Sequence, residues 1–371
     1  MLDLRAIAVR VVEEMGAAPC AVVAAARRRP EGWSFGAGAA GLLFREGLGP
    51  VSAAEVGTVF DLASVTKPAT ALTLARLERA GALSRSESLG AVIPELADTA
   101  SGSVPLDLLA AHRAGLDGHR PLYAPLERGE AVDVATALRT AAEARRVDAA
   151  GAPGPEGFAP VYSDLGYLLL GAAMARRTGL ALDALMEREI SAPLGLRIGS
   201  AAAWRRRDPT FDERVAPTER VEWRGGVVRG AVHDENAWAL APDGVQGHAG
   251  LFGNIHSVLR FGEAVLDALR GRTSPLSPRG ESLEWLVRER EGGTLRAGFD
   301  GKSGEGSSAG TILGPRTFGH LGFTGTSIWI DPDAEIVVAL LTNRVCPTRD
   351  NVKIRAARPS AHDELARAAL R

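Results

Sequence analysis

Residues 2–15 set Leu4, Ile7, Ala8, Val11 and Val12 at helical spacing, which predicts an amphipathic helix. The pattern then changes. Cys20 to Ala26 is an apolar run, and the stretch around Trp33 to Leu43 follows it across the polar Arg27-to-Gly32 segment. These read as two strands of a hairpin or meander. Ala69 to Ala80 carries Leu72, Leu74, Ala75 and Leu77 without a glycine, a helix. Residues 87–150 are mixed and helical and end in the Pro/Gly-rich loop Gly151–Gly157. Tyr162 to Ala175 predicts a buried helix. Residues 205–246 hold few periodic segments and many prolines, glycines and charges, as expected of a long surface excursion. Glu263 to Leu269 is helical, and Gly292 to Gly314 is a glycine-rich loop. Near the end, Ser327–Asp331 and Glu335–Asn343 predict paired strands about the Asp331-Pro332-Asp333 turn, with a final helix from about Ala361. Strands at both ends with helices between them predict an α+β chain: an antiparallel sheet from N- and C-terminal segments, with a helical insertion.

Composition narrows the function. The chain has 371 residues, enough for one large domain with an insertion or for two. Its formal net charge is -2, so there is no electrostatic case for nucleic acid. The clusters Arg27-Arg28-Arg29 and Arg205-Arg206-Arg207 read as solvated surface. Cys20 and Cys346 stand far apart, outside any Cys-x-x-Cys pair, and nothing requires them to form a disulfide. The acid-bearing start does not read as a secretory signal, and Cys20 to Ala26 is too short to span a membrane. The expectation is a cytoplasmic protein with no membrane association. The seven histidines show no His-Glu-x-x-His spacing, so no metal is expected.

Three polar segments carry chemistry. Ser64-Val65-Thr66-Lys67 stands where the Ala69–Ala80 helix begins. Three-residue spacing there puts Ser64 and Lys67 on one face, where an amine can take or relay the hydroxyl proton. Tyr162-Ser163-Asp164 opens the next buried helix, and a tyrosine near an amine can serve as a base. In Phe318-Gly319-His320-Leu321-Gly322-Phe323-Thr324-Gly325-Thr326, the glycines permit close approach to a ligand and backbone N–H groups can face an oxyanion. Each segment also has a plainer reading: a helix start with a solvated lysine, an aromatic staple with Asp164 as helix cap, and a turn with a structural histidine. Gly306-Ser307-Ser308-Ala309-Gly310 matches Gly-x-Ser-x-Gly, but the following Thr311-Ile312-Leu313-Gly314-Pro315 is too short and broken for the helix a nucleophile elbow needs. Gly301-Lys302-Ser303 has Arg296 where a phosphate-binding loop needs its first glycine.

Together the three segments, in this order, resemble the serine β-lactamase and penicillin-binding-protein group, in its class C β-lactamase and related esterase branch. Leu109–Leu116, Gly247–Phe252 and Phe323–Pro332 add to the resemblance, which runs from about Pro19 to Asn343. It implies one β-lactamase/transpeptidase-like catalytic domain over residues 1–371, with an α/β lobe at about 1–70 and 250–371 and a helical lobe with the excursion at about 71–249. It implies Ser64 as the acylated nucleophile, Lys67 as its proton partner, Tyr162 as base and His320 in the place of the third-motif lysine. The backbone N–H groups of Ser64 and Phe323 would form the oxyanion hole. Asp164, Leu321 and Gly322 would meet substrate, and no metal or organic cofactor is implied. Three departures matter. Asp164 replaces an asparagine and cannot donate an amide N–H. His320 replaces lysine and is mostly neutral near pH 7. Leu321 replaces a hydroxyl residue. These favour an esterase or related acyl hydrolase acting on a small ester, amide or lactam. The alternatives are a β-lactamase or D-amino-acid peptidase of the same fold, and a ligand-binding protein that retains the scaffold. The pocket lining is expected from 205–246 and Gly292–Gly314. Oligomeric state is left open.

Overall fold

The computed structural model describes residues 2–45, 49–276 and 283–371. Its centre is an eight-stranded sheet in the order Leu2–Asp3, Gly32–Arg45, Cys20–Arg29, Ile336–Thr342, Ser327–Asp331, Phe318–Leu321 and Asp300–Gly301, with Gly49–Ala53 paired to Gly32–Arg45. The N- and C-terminal segments meet in the middle, where Cys20–Arg29 and Ile336–Thr342 run antiparallel with Ala24 opposite Ala339. Apart from the two-residue strand Leu2–Asp3, which is parallel to its neighbour, the pairings are antiparallel.

Both faces of the central strands are buried, which is why these strands read as apolar runs and not as alternations. Successive side chains point to opposite faces. Val22, Ala24, Ala26, Val337, Ala339 and Leu341 pack with Val258, Phe261 and Val265 of the helix Ile255–Leu269. Ala21, Val23, Ala25, Val338 and Leu340 pack with Leu4, Ile7 and Val11 on one helix and Ile354, Ala361 and Leu365 on the C-terminal helix Ile354–Leu370.

The N-terminal helix runs from Arg5 and continues through a π-helical turn to Glu14. The C-terminal helix begins well before Ala361, with Pro359 inside it. The proline hides this start, because it reads as a helix breaker. Residues 205–246 are more ordered than expected. They hold the end of the helix Ala201–Arg207, the hairpin Arg220–Val221/Gly226–Val227 and the helix Glu235–Leu240.

The remaining helices centre on Asp164–Thr178, whose Leu165, Tyr167, Leu168, Leu169 and Leu170 are buried. A small sheet of Phe60–Asp61, Phe252–Gly253 and Ile198–Gly199 leads the chain into the Ser64 turn. Cys20 and Cys346 are free thiols. Among the described residues no helix is long and apolar enough to cross a bilayer.

Candidate active site

Ser64 lies in a single 3₁₀ turn, Ala63–Val65, that continues directly into the helix Thr66–Arg79. The backbone just before it is strained: Ala63 has φ +47°, a left-handed conformation that costs a non-glycine residue about 1–2 kcal/mol. Buried Asp61 holds the turn in place. Its Oδ1 accepts the Ala63 N–H at 2.8 Å and its Oδ2 accepts the His233 N–H at 2.7 Å. Burial pushes the Asp61 pKa up, and these N–H donors pull against it. Thr324 and Thr326 hydroxyls donate to the carbonyls of Asp61 and Leu62 at 2.8 and 2.9 Å, tying the turn to the chain beyond Leu321. Gly322 must be glycine there. A Cβ would stand 2.0 Å from Thr326 Oγ1 and 2.6 Å from the Leu62 carbonyl.

Lys67 is fully buried. Its three N–H donors match three acceptors: Ser64 Oγ at 2.8 Å, Asp164 Oδ1 at 2.6 Å and the His248 carbonyl at 3.3 Å. Burial disfavours the ammonium, but the Asp164 carboxylate and the Tyr162 phenol outweigh it, so the Lys67 pKa is raised. Lys67 therefore enters neutral solution charged, donating a hydrogen bond to Ser64.

Tyr162 precedes the helix Asp164–Thr178, which begins one residue after its cap, Ser163. Ser163 Oγ accepts the Gly166 N–H at 3.2 Å, so the cap is Ser163 and not Asp164. Asp164 is thereby free to face Lys67. The Tyr162 ring stacks on His112 with centroids 4.7 Å apart, and Lys67 Nζ lies 4.7 Å from the Tyr162 centroid. The side of the ring that faces the cavity leaves Tyr162 37% exposed. Desolvation at its hydroxyl raises the pKa, and Lys67 lowers it in part. Its hydroxyl also interacts with Lys67 and Ser64, and both interactions pull the pKa down against burial. At neutral pH Tyr162 is a phenol.

His320 is buried on the strand Phe318–Leu321. Its Nδ1 is 2.8 Å from the Leu321 carbonyl, which places the ring proton on Nδ1 and leaves Nε2 an acceptor. Burial, then the charge of Lys67, pushes its pKa down to about 3, so it supplies no positive charge. The His320 and Tyr162 centroids are 6.0 Å apart.

The predicted residues converge. Ser64, Tyr162, Asp164, Leu321, Gly322 and Phe323 line one open cavity of about 600 Å³, with Lys67 and His320 behind its wall. The lining departs from expectation. His233, Asp234 and Glu235 contribute from the 205–246 segment, but Gly292–Gly314 contributes nothing, and Arg344, Arg349, Arg355 and Arg358 take its place. Three supporting residues escape a reading of the sequence by motif. Asp61 braces the Ser64 turn. His112 accepts the Ser163 N–H at its Nδ1, 3.0 Å away, and has φ +59°. His248 Nε2 lies 2.9 Å from Asp234 Oδ1, fixing the loop whose carbonyl meets Lys67. Only the histidines gave a signal, standing in His112-Arg113-Ala114-Gly115-Leu116 and Gly247-His248-Ala249-Gly250.

Comparison with known proteins follows the same lines. The family model described as Beta-lactamase matches residues 8–362. A curated protein described as N-acetylmuramyl-L-alanine amidase, from Bacillus subtilis (strain 168), is 30% identical over 319 residues, 77% of this chain and 68% of its own length. Among solved structures, EstCE1, described as a hydrolase with promiscuous acyltransferase activity, superposes with TM-score 0.67 at 22% identity, covering 95% of this chain and 97% of that one. A class C β-lactamase from Rhodobacter sphaeroides does so with TM-score 0.65 at 20% identity, covering 96% and 97%. These two structures establish likeness of fold.

Proposed function

The chain belongs to the β-lactamase family, and on that premise we propose that it is a serine hydrolase acting through an acyl-enzyme on small esters or amides, with Ser64 as nucleophile. The observation that supports this most is the 2.8 Å contact between Lys67 Nζ and Ser64 Oγ, with Tyr162 and Asp164 around the same ammonium. Ser64 Oγ attacks the acyl carbon, and its proton passes to the Lys67–Tyr162 pair. The resting pair holds a proton on each partner, so one must leave before attack. The backbone N–H groups of Ser64 and Phe323 receive the oxyanion. The pair returns the proton to the departing alkoxide or amine, and water then cleaves the acyl ester by the same route in reverse.

Neutral His320 and apolar Leu321 remove the charge and hydroxyl that would hold a lactam carboxylate on the third motif, which favours esters. Amide cleavage is the second reading, supported by the printed name of the 30%-identical relative. The test is turnover of 4-nitrophenyl butyrate with intact-mass detection of an adduct. Ser64→Ala is expected to lower kcat by about 10³ or more and to abolish the adduct. Equal product release by wild type and S64A overturns the assignment.

A further inference from the structure

Lys67 is held by two side chains and one backbone carbonyl, that of His248. The carbonyl belongs to the turn Gln246–Ala249, closed by the Gln246 N–H donating to the Ala249 carbonyl at 2.9 Å. Gly247 seats one end of this turn between two helices. Its carbonyl accepts the Thr70 hydroxyl at 2.6 Å, and a Cβ on it would stand 1.8 Å from the Tyr167 carbonyl. The His248 imidazole holds the next residue. It is 1% exposed, and its Nε2 lies 2.9 Å from Asp234 Oδ1, while its buried Nδ1 has no partner among the described residues. The polar engagement of the ring is therefore with Asp234.

Asp234 is itself fixed. The same Oδ1 accepts the Ala237 N–H at 2.8 Å, capping the helix Glu235–Leu240. The residue before it, His233, gives its N–H to Asp61 Oδ2 at 2.7 Å, and Asp61 Oδ1 holds the turn that carries Ser64. The contacts close a circuit. It runs from the Ser64 turn to Asp61, from Asp61 to His233, from Asp234 to His248, from the His248 carbonyl to Lys67, and from Lys67 back to Ser64 Oγ. Two adjacent residues, 233 and 234, thus hold the hydroxyl and the ammonium from both sides. Asp234 is also a charge. Burial opposes its carboxylate, but His248, the Ala237 N–H and Lys67 prevail and hold its pKa below the ordinary 3.8. It faces Asp61, Arg224 and Tyr123 as well. Around Lys67 stand the Asp164 carboxylate, the Tyr162 and Tyr167 phenols, the His112 and His320 rings and, beyond His248, Asp234. Burial keeps the rings of His112 and His320 neutral at pH 7, so Asp164 and Asp234 are the acids of this group that favour the ammonium.

Building on the hydrolase reading, we propose that Asp234 and His248 are positioning residues for Lys67: the imidazole, held by Asp234, aims the His248 carbonyl at the ammonium, and the Asp234 carboxylate helps Lys67 retain its proton. Neither makes or breaks a bond with the substrate. Both act through Lys67 on the geometry and the charge of the group beside Ser64.

Two measurements test this. The first is steady-state turnover of 4-nitrophenyl butyrate. His248→Leu removes the contact with Asp234 and is expected to lower kcat at least tenfold, with KM within about twofold of wild type. His248→Gln, whose amide can still donate to Asp234, keeps kcat within about threefold of wild type. Should H248L fail to fold, His248→Asn, whose shorter amide falls short of Asp234, takes its place. The second measurement reads Lys67 without turnover. The chain has three lysines, Lys67, Lys302 and Lys353. Protein labelled with 13C at lysine Cε therefore gives three side-chain signals, and that of Lys67 is identified by its loss in Lys67→Met. Asp234→Asn keeps an oxygen acceptor for His248 and for the Ala237 N–H but removes the charge. The Lys67 signal is expected to titrate at lower pH in D234N than in wild type, by a smaller shift than in Asp164→Asn. Wild-type kcat in H248L overturns the positioning role, as does an equal loss in H248L and H248Q. A Lys67 signal that titrates alike in wild type and D234N overturns the part given to the carboxylate. If S64A retains full turnover, the hydrolase reading fails, and the lysine titration still decides what Asp234 does to Lys67.

Discussion

Of the side chains that act on Lys67, Asp164 has the largest effect. An asparagine at this place would offer Lys67 a neutral carbonyl. The carboxylate instead lies 2.6 Å from the ammonium and raises the pKa of both Lys67 and Tyr162. Activity that requires one proton to leave this pair must rise with pH, through a value that belongs to the pair. Asp164→Asn removes the charge that holds both protons on. The rising limb of kcat/KM against pH is therefore expected to move to lower pH, by about one unit or more, within the range one adjacent charge commands. A limb that stays in place in D164N counts against the coupled pair. Ser64, Lys67 and Tyr162 were legible in the sequence through the resemblance of three ordered motifs to a known family, and the structure brings them together. Asp164 was legible as a lost amide donor, but not as an ion-pair partner, because Lys67 comes from a helix 97 residues earlier. The arginines of the cavity, Arg344, Arg349, Arg355 and Arg358, were not legible for the same reason: which arginines reach the cavity is decided by folding.

At the scale of elements, the strand–turn–helix unit Phe60–Arg79 presents Ser64 on a backbone that would not choose this shape by itself. Asp61 makes two hydrogen bonds from one buried carboxylate, one within the turn and one to His233. Asp61→Asn keeps the volume but turns one acceptor into a donor facing an N–H. One amide loses its partner, which costs about 1–3 kcal/mol. The urea midpoint of D61N should fall accordingly, and kcat should fall more than KM changes, since the turn aims Ser64 and does not touch substrate. A wild-type midpoint with wild-type kcat removes the brace from the account. Apolar periodicity found the strands Ser327–Asp331 and Ile336–Thr342 and the core helices, because their pattern reports burial. It missed the start of the C-terminal helix behind Pro359, and it missed the order in 205–246, where elements of two to seven residues are too short to show a period. That second miss bears directly on the site, since His233, Asp234 and Glu235 lie there.

For the whole molecule, the question is what holds that excursion against the C-terminal segment, since the cavity exists only while the two stay together. The Glu219 carboxylate joins them. It meets Arg349 Nε and Nη2, accepts the Arg349 N–H at 3.1 Å, and lies 2.9 Å from His233 Nε2, whose ring stacks on Phe323. Arg220 N–H donating to the Pro347 carbonyl at 2.8 Å runs beside it. Burial opposes the charge on Glu219, but His233 and Arg349 prevail and take its pKa from the ordinary 4.5 down to about 2. A carboxylate whose folded pKa is depressed contributes stability above its unfolded pKa and loses it as pH falls toward the folded value. The contribution is therefore present at neutral pH and declines between about 4.5 and about 2. At roughly 1.4 kcal/mol per unit its upper bound is about 3 kcal/mol. Glu219→Gln should unfold at lower urea than wild type at pH 7, with the gap closing as both are taken toward pH 2. A gap between E219Q and wild type that is as wide at pH 3 as at pH 7 would mean that packing, and not this ion pair, closes the cavity.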